Sequence, residues 1–399
     1  MQILYVSILL SDTVEKELFL SSKNKRSVAA QKFHKLIVEG FILNGYKVQV
    51  MSSKPVSRTS HSQLIWKGVS EKFGSLRYHY LFFINFPALR QFFLFIGSFF
   101  YTFTWCLKNR NTQKVIYCDV LNITITLAAR IAAKLTGTQA IGIVTDLQKN
   151  MGAARKDNRH TKIIPQLITK FSGLFITSFD KYVMLTGAMD VMVNPKKKPF
   201  IIMEGLVDVN MKSRSHQSFD VKQKDIIYAG GIYEKYGVRI LIDAFYNIKQ
   251  ANINLHIYGL GEMEQDMPFL MKRDSRLKYH GMVPNEVVVN HQLSATLMIN
   301  PRPTSNGFTK YSFPSKNLEY MVSGTPLLTT PLEGMPDEYK QYVYLINDER
   351  VEGIERCITE IINKPARELE IKGNEAKQFV LENKNNVVQS LRMISLAKK

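Results

Sequence analysis

Hydrophobic positions along this chain follow two alternating rhythms: short solid apolar runs, and longer stretches with apolar residues three or four apart. In the first half, Ile3–Ile8 reads as a buried strand, Ser27–Asn44 as a helix closed by Gly45, and Lys47–Met51 as a second strand. Lys114–Cys118 is a strand, Ile123–Leu135 a helix closed by Gly137, and Gln139–Val144 a strand. Ile163–Phe171 reads as helical and Lys181–Leu185 as a short strand ahead of Thr186. The second half restarts the same alternation. Its strands are Asp225–Ala229, Asn254–Tyr258, Leu277–His280, Ala295–Asn300 and Pro326–Thr330; its helices are Val238–Lys249, Glu286–Leu293, Glu352–Ile362 and Arg367–Lys384. Strand–helix alternation predicts parallel sheets with helices on both faces, so the expected class is α/β, two Rossmann-like doubly wound domains across a cleft. The expected bounds are 1–205, a polar linker 206–224, and 225–376.

One segment breaks the rhythm. From Tyr80 to Leu107 the only charge is Arg90, and Phe92, Phe93, Phe95, Phe99, Phe100, Tyr101, Phe103 and Trp105 fall all around a helix. Three readings compete. A membrane span would strand the following strand on the far side and split an α/β domain; a wholly buried core helix is the second. The reading preferred here is a surface helix with one face in the core and the other in the interfacial layer of a membrane.

Charge supports that choice. Residues 1–204 hold 28 Lys and Arg against 11 Asp and Glu, a net +17, whereas residues 205–399 hold 25 against 23, a net +2. A basic half suits nucleic acid, an anionic membrane leaflet or an acidic substrate, although lysine-rich composition also occurs with no such meaning. No nucleic-acid module or interleaved aromatic–basic stripe accompanies it, so nucleic acid is not an expected partner. Three cysteines (Cys106, Cys118, Cys357) have neither metal-site spacing nor the number for a disulfide framework, which favours a reducing compartment. MQILYVSILLSD reads as a first strand and not as a signal peptide. No Asp-x-Asp pair, histidine ligand spacing or GxSxG elbow occurs, so no metal, cofactor or hydrolase nucleophile is implied.

The chemistry-bearing residues gather at predicted strand ends. In YSFPSKNLEYMVSGTP (Tyr311–Pro326), Pro314 and Ser315 open a helix, Leu318, Met321 and Val322 form its apolar face, and Gly324 with Pro326 closes it. A helix start can hold an anion; Lys316 adds to that, and Glu319 could accept two bonds from vicinal hydroxyls. Glycines follow three strands, at Gly230-Gly231, Gly259-Leu260-Gly261 and His280-Gly281, where parallel sheets bind ligands. Each alone is also an ordinary turn. Glu264 stands where a dinucleotide fingerprint needs a third glycine, so no NAD site is assigned. Lys235 could reach a phosphate or be a solvated loop lysine. Asp146 ends a first-half strand and is either a base for an acceptor hydroxyl or a cap for the loop that follows. The basic run Lys149, Arg155, Lys156, Arg159 and Lys162 could meet a lipid diphosphate or simply face water.

AGGIYEKYGVRILIDAF, LHIYGLGEMEQDM, LKYHGMV, LMINPRP and FPSKNLEYMVSGTPLLTTPLEGMPDEY follow the order and spacing of family-4 glycosyltransferases of the GT-B fold, which the chain resembles over nearly its whole length. NFPALRQ, IGIVTDL and KYVMLTGAMD are similar to bacterial enzymes that assemble capsular or exopolysaccharide repeat units. The resemblance implies that Glu319 holds the ribose hydroxyls of a nucleotide-sugar donor, that Gly230 and Lys235 belong to a phosphate-binding loop, and that Ser315 and Lys316 face the donor diphosphate. It further implies a last helix, about Lys377–Ala397, crossing back to the first domain, retention of configuration, and independence of metal. Two positions depart from the pattern: Tyr311 replaces its first glutamate and Gly231 its arginine, for which Lys316 or Arg302 could substitute.

The expected function is transfer of a sugar from a nucleotide-diphosphate sugar to a lipid-linked saccharide. The expected location is cytoplasmic, peripheral at the inner face of the plasma membrane with its anionic surface. A non-catalytic glycosyltransferase-like partner subunit and a sugar-nucleotide epimerase are the alternatives.

Overall fold

The computed structural model describes residues 1–23, 30–147, 175–214, 223–305, 307 and 309–399. They form two compact units, Met1–Glu204 with Asn386–Lys399, and Gly205–Asn385. The first unit runs β1 (Gln2–Ser7), α1 (Asp12–Ser21), α2 (Ala30–Leu43), β2 (Lys47–Ser52), β3 (Ile65–Trp66), β4 (Val69–Phe73) and β5 (Leu76–Tyr80). It continues with β6 (Phe83–Ile84), α3 (Pro87–Lys108), β7 (Lys114–Asp119), α4 (Ile123–Leu135), β8 (Ala140–Val144), β9 (Lys181–Met184) and β10 (Phe200–Ile202). Its main sheet has the order β10-β9-β8-β7-β1-β2-β5-β4, parallel except where β4 folds back on β5. The central strands are mostly apolar because helices cover both faces; Ile3, Leu4, Val48, Val50, Ile116 and Ile141 are fully buried, each worth about 1.5–3 kcal/mol.

Helix α3 has two unlike faces. Leu94, Ser98, Thr102, Trp105 and Cys106 turn inward, and Ser98 Oγ donates to Ile125 O at 2.6 Å. The alanines of α4 (Ala128, Ala129, Ala132, Ala133) leave no side-chain bulk, so the two helices lie close. The outward face is apolar: Leu89, Phe92, Ile96, Phe100 and Leu107 are exposed. Of the described helices, none is long and apolar enough to cross a membrane.

The second unit runs β11 (Lys224–Ala229), α5 (Val238–Asn247), β12 (Ile253–Tyr258), α6 (Met267–Arg273), β13 (Leu277–Gly281), α7 (Asn285–Gln292) and β14 (Leu297–Asn300). Then come α8 (Ser315–Ser323), β15 (Leu327–Thr329), β16 (Tyr344–Leu345), α9 (Val351–Ile362) and α10 (Ala366–Asn383). Its sheet is wholly parallel, in the order β13-β12-β11-β14-β15-β16. Both units are thus doubly wound α/β sheets, in agreement with the class read from the alternation.

Several boundaries differ from the sequence reading. The C-terminal return begins at Asn386, not Lys377: residues 377–383 finish α10, which packs on α8 in the second unit. The returning helix Asn386–Lys398 lies on α2 so closely that a Cβ at Gly40 would stand 2.1 Å from Asn386 O. Asn44 Nδ2 donates to Val387 O and Ser390 Oγ, and Tyr117 OH to Met393 O. The expected linker is structured at its start, where Val207 bridges to Asn385 and Val209–Ser213 forms a short helical turn. Strands β3 to β6 were not expected; the solvent side of β4 reads as loop because only β5 covers it. The start of the Ser27–Asn44 helix, the Ile163–Phe171 helix and the Lys149–Lys162 basic run lie outside the described residues.

Candidate functional site

The three glycine turns lie at the ends of β11, β12 and β13, and the first two crowd each other. A Cβ at Gly259 would lie 1.9 Å from Gly230 O, and one at Gly261 would lie 2.5 Å from Ile232 O. Backbone therefore stacks on backbone: Gly230 N donates to Tyr258 O, Ile232 N to Leu260 O, and Gly259 N to Gly281 O. Gly259 and Gly281 also have positive φ, at 127° and 64°. Gly259 and Gly261 are required by the mutual packing of the turns, whereas Gly281 is required only by its positive φ; the packing leaves main-chain groups at the carboxyl edge of the sheet.

Gly231 has a different cause. A Cβ there would meet the Tyr233 ring at 2.8 Å and Tyr236 at 3.3 Å, so aromatic rings fill the space that a longer residue would need. Lys235, in the turn Glu234–Tyr236, lies over both rings, with Nζ 5.2 Å from the Tyr233 centroid and 5.4 Å from that of Tyr236. Arg302, just beyond β14, stacks on Tyr236 at 4.4 Å. The loop is clamped there because Gly237, at φ 80°, leaves no room for a Cβ against Pro301 O. Two cations thus share one tyrosine, at about the strength of partly desolvated cation–π pairs.

Helix α8 supplies the other side. Pro314 is its N-cap and makes no side-chain cap bond, while Ser315 is exposed and is the first helical residue. Lys316 Nζ pairs with Glu319 Oε2 at 2.9 Å across one turn, both partly accessible. Tyr320, fully buried next in sequence, donates its hydroxyl to Ala229 O at 2.8 Å and accepts from Ala229 N at 2.8 Å. Its pKa is raised far above the ordinary tyrosine value by burial, so it remains a neutral tie between α8 and the end of β11. Asn317 is held between Asn300 and Thr329. The apolar periodicity of α8 hides Tyr320 among core positions, and only the fold reveals its polar bond. Tyr311 closes a short turn, Thr309–Tyr311, half-buried with Lys310 over its ring at 5.1 Å.

Asp146 lies in the first unit beyond β8. Its Oδ1 accepts from Leu147 N at 2.7 Å, and burial raises its pKa above the ordinary carboxylate value against that bond. This is compatible with proton transfer. A second polar group, unseen from sequence, is buried nearby in chain topology: Tyr5 OH bonds His34 Nδ1 at 2.6 Å, and His34 Nε2 lies 3.1 Å from Asp119 at the end of β7. Its members are sealed in the core and tie α2 to the sheet. Among the described residues, no group of three or more His, Cys, Asp or Glu is placed to hold a metal ion.

Three histidines and a tyrosine cluster on the second sheet. His256 Nδ1 and His280 Nε2 are 2.9 Å apart, Tyr258 stacks on His280 at 4.4 Å, and His291 bonds the Tyr258 hydroxyl. His280 is pushed down to about 4 by burial, then by His256, His291 and Lys278; Asp225 faces the group from β11. A base with a depressed folded pKa binds fewer protons folded than unfolded, so stability is lost as pH falls from the ordinary 6.5 towards 4. Because His280 is solvent-accessible, we expect about 1 kcal/mol, and replacing it by Asn should flatten the pH slope of the melting temperature in that window.

With this geometry in hand, the comparisons place the chain. Residues 223–364 match the family described as Glycosyl transferases group 1. Sucrose-phosphate synthase from Thermosynechococcus elongatus superposes with TM-score 0.65 at 12% identity, covering 100% of this chain and 98% of its own. Anabaena HepE in complex with UDP gives 0.65 at 12%, covering 99% of each chain. The lipopolysaccharide outer core galactosyltransferase WaaB, in its apo form, gives 0.60 at 13%, covering 99% of each. No curated protein sequence matches. The fold is therefore GT-B, and residues 223–364, within the second unit, match a glycosyl transferases group 1 domain.

Proposed function

We propose that this chain moves a sugar from a nucleoside-diphosphate sugar to a hydroxyl of a lipid-linked saccharide, at the cytoplasmic face of a membrane, in surface-polysaccharide synthesis. The observation that carries the donor half is the linked set Lys235–Tyr236–Arg302 and Lys316–Glu319, joined through the Tyr320 bond to Ala229. In this reading the cations and the start of α8 neutralise the leaving diphosphate, and Glu319 accepts from the ribose hydroxyls. Gly230, Gly231, Gly259, Gly261 and Gly281 bring main chain against the donor. Ser315 lies at the helix start, and Tyr311 contacts the sugar in place of a carboxylate. Asp146 positions or deprotonates the acceptor hydroxyl. The reaction needs no metal and retains configuration.

The acceptor half is supported by the +17 charge of residues 1–204 and by the exposed aromatic face of α3. The UDP named for HepE makes uridine the first base to try.

Calorimetry with uridine, guanosine, thymidine and cytidine diphosphates tests the donor site. One base should bind selectively, and Glu319→Ala should weaken it by about tenfold or more, two bonds to a charged group being lost. No binding to any of the four would overturn the reading. The departures Tyr311 and Gly231 favour a second one, a non-catalytic partner subunit, which predicts selective binding with no product from any donor–acceptor pair.

A further inference from the structure

At the amino-terminal edge of the first sheet, opposite the edge where Asp146 follows β8, lie two cavities that share Gln49 and Arg77. The first, about 310 Å³, is lined among others by Tyr101, Trp105 and Lys108 from the last turns of α3. The second, about 290 Å³, adds Lys47 and Lys72 at the starts and turn of β2, β4 and β5. No acidic side chain lines either cavity. None of these four cations has a carboxylate partner among the described residues, whereas cations elsewhere in the unit, such as Lys35, Arg130 and Lys197, are paired.

The neutral lining is set up independently of the charges. Trp105 is 4% exposed, and its buried Nε1–H has no acceptor. The indole N–H is enclosed, so Trp105 meets the cavity only as part of its wall. Tyr101 OH donates to Gln49 Oε1 at 3.2 Å and stacks on His79 at 4.1 Å, which fixes Gln49 with its amide nitrogen left to donate. The carbonyl end of α3 disfavours an anion, and Lys108 in its last turn offsets that. On the same helix Phe100 is 57% and Leu107 50% exposed, so the basic cavity opens beside an apolar face.

We propose that this cavity is a binding site for the phosphate of an anionic phospholipid headgroup, held by Arg77 and Lys108 with Gln49 as a neutral donor and Trp105 in the wall, while the outer face of α3 enters the acyl boundary. The proposal rests on the membrane-apposed part of the preceding reading and gives it a specific lipid contact built from residues of the first unit alone. Arg77 presents a planar fork suited to phosphate, and Lys108 a point charge.

The test is sedimentation of the full chain with phosphatidylcholine vesicles, alone or with phosphatidylglycerol, alongside tryptophan emission during titration with soluble glycerol phosphate. Arg77→Gln with Lys108→Gln, both exposed and safe for folding, should lower affinity for the anionic vesicles at least tenfold and leave neutral-vesicle binding unchanged. Lys16→Gln with Lys67→Gln removes the same charge elsewhere on the unit and should lower it far less. Equal losses from the two pairs would mean a diffuse field and overturn the site. An emission change with glycerol phosphate that is absent in Trp105→Phe supports the pocket when anionic vesicles also bind. The same change without any preference for anionic vesicles would assign the site to free phosphate and overturn the lipid reading. Phe92→Ser with Phe100→Ser reports separately on the interfacial helix: it should reduce binding to both vesicle types, and no reduction would sink the interfacial reading while leaving the phosphate arm measurable.

Discussion

Lys235→Ala is expected to lower kcat by about 100- to 1,000-fold, the usual cost of removing one preorganised group from developing charge. The reason is geometric. Lys235 lies over Tyr233 and Tyr236, and those rings restrict a side chain that would otherwise give up rotamer entropy on meeting a phosphate. Arg302 stands on Tyr236, so Arg302→Ala should cost a comparable factor, and the double variant should lose less than the product of the two. The loss should fall on kcat more than on KM, because charge on the leaving diphosphate grows as the glycosidic bond breaks. Steady-state kinetics with the donor identified by calorimetry measures this. An unchanged kcat in both single variants would remove the phosphate role from this loop.

Gly259→Ala should be among the most destabilising single changes in the second unit. At φ 127° an L-residue is strained by about 1–3 kcal/mol, and the added Cβ would stand 1.9 Å from Gly230 O, a backbone atom that cannot rotate away. The β11 and β12 turns would have to separate, breaking the bonds Gly230 N to Tyr258 O and Ile232 N to Leu260 O, for a total of about 4 kcal/mol or more. Gly281→Ala is the control. It shares positive φ, at 64°, but its nearest neighbour is 3.8 Å away, so it should cost only about 1–2 kcal/mol. Denaturant unfolding of both variants decides between steric and torsional causes: similar losses would show that backbone strain alone matters. Nucleotide binding should fail with the fold in Gly259→Ala, and in Gly281→Ala it should survive.

How much of this was legible beforehand depends on the range of the interaction that decides each feature. Buried strands such as β7 and β11 announce themselves because both faces are covered, so their central residues form an apolar run. Helices α4 and α8 show their periodicity and their closing glycines, which are local. The candidate residues Lys235, Lys316 and Glu319 were legible because a loop after a strand and the start of a helix are where an anion and hydroxyls can be held. The sequence could not tell whether the paired glycines serve a ligand or each other, since their crowding lies between turns roughly thirty residues apart in sequence. Tyr320 was unreadable for the same reason: its partner, Ala229, is ninety-one positions away.

By itself, then, the sequence determined two parallel α/β sheets, the glycine turns with their lysine, and a basic first half carrying an aromatic helix. Tertiary structure alone decided that the return to the first unit starts at Asn386, that Tyr233 fills the space beside Gly231, and that Arg302 meets Lys235 across Tyr236. It also decided that the unpaired cations of β2, β5 and α3 line adjoining cavities. Periodicity and capping are set by neighbours within one helical turn or strand pleat and are therefore written in order along the chain. Close approach of backbone to backbone, and of charges from separate strands, exists only once the sheet has brought its edges together.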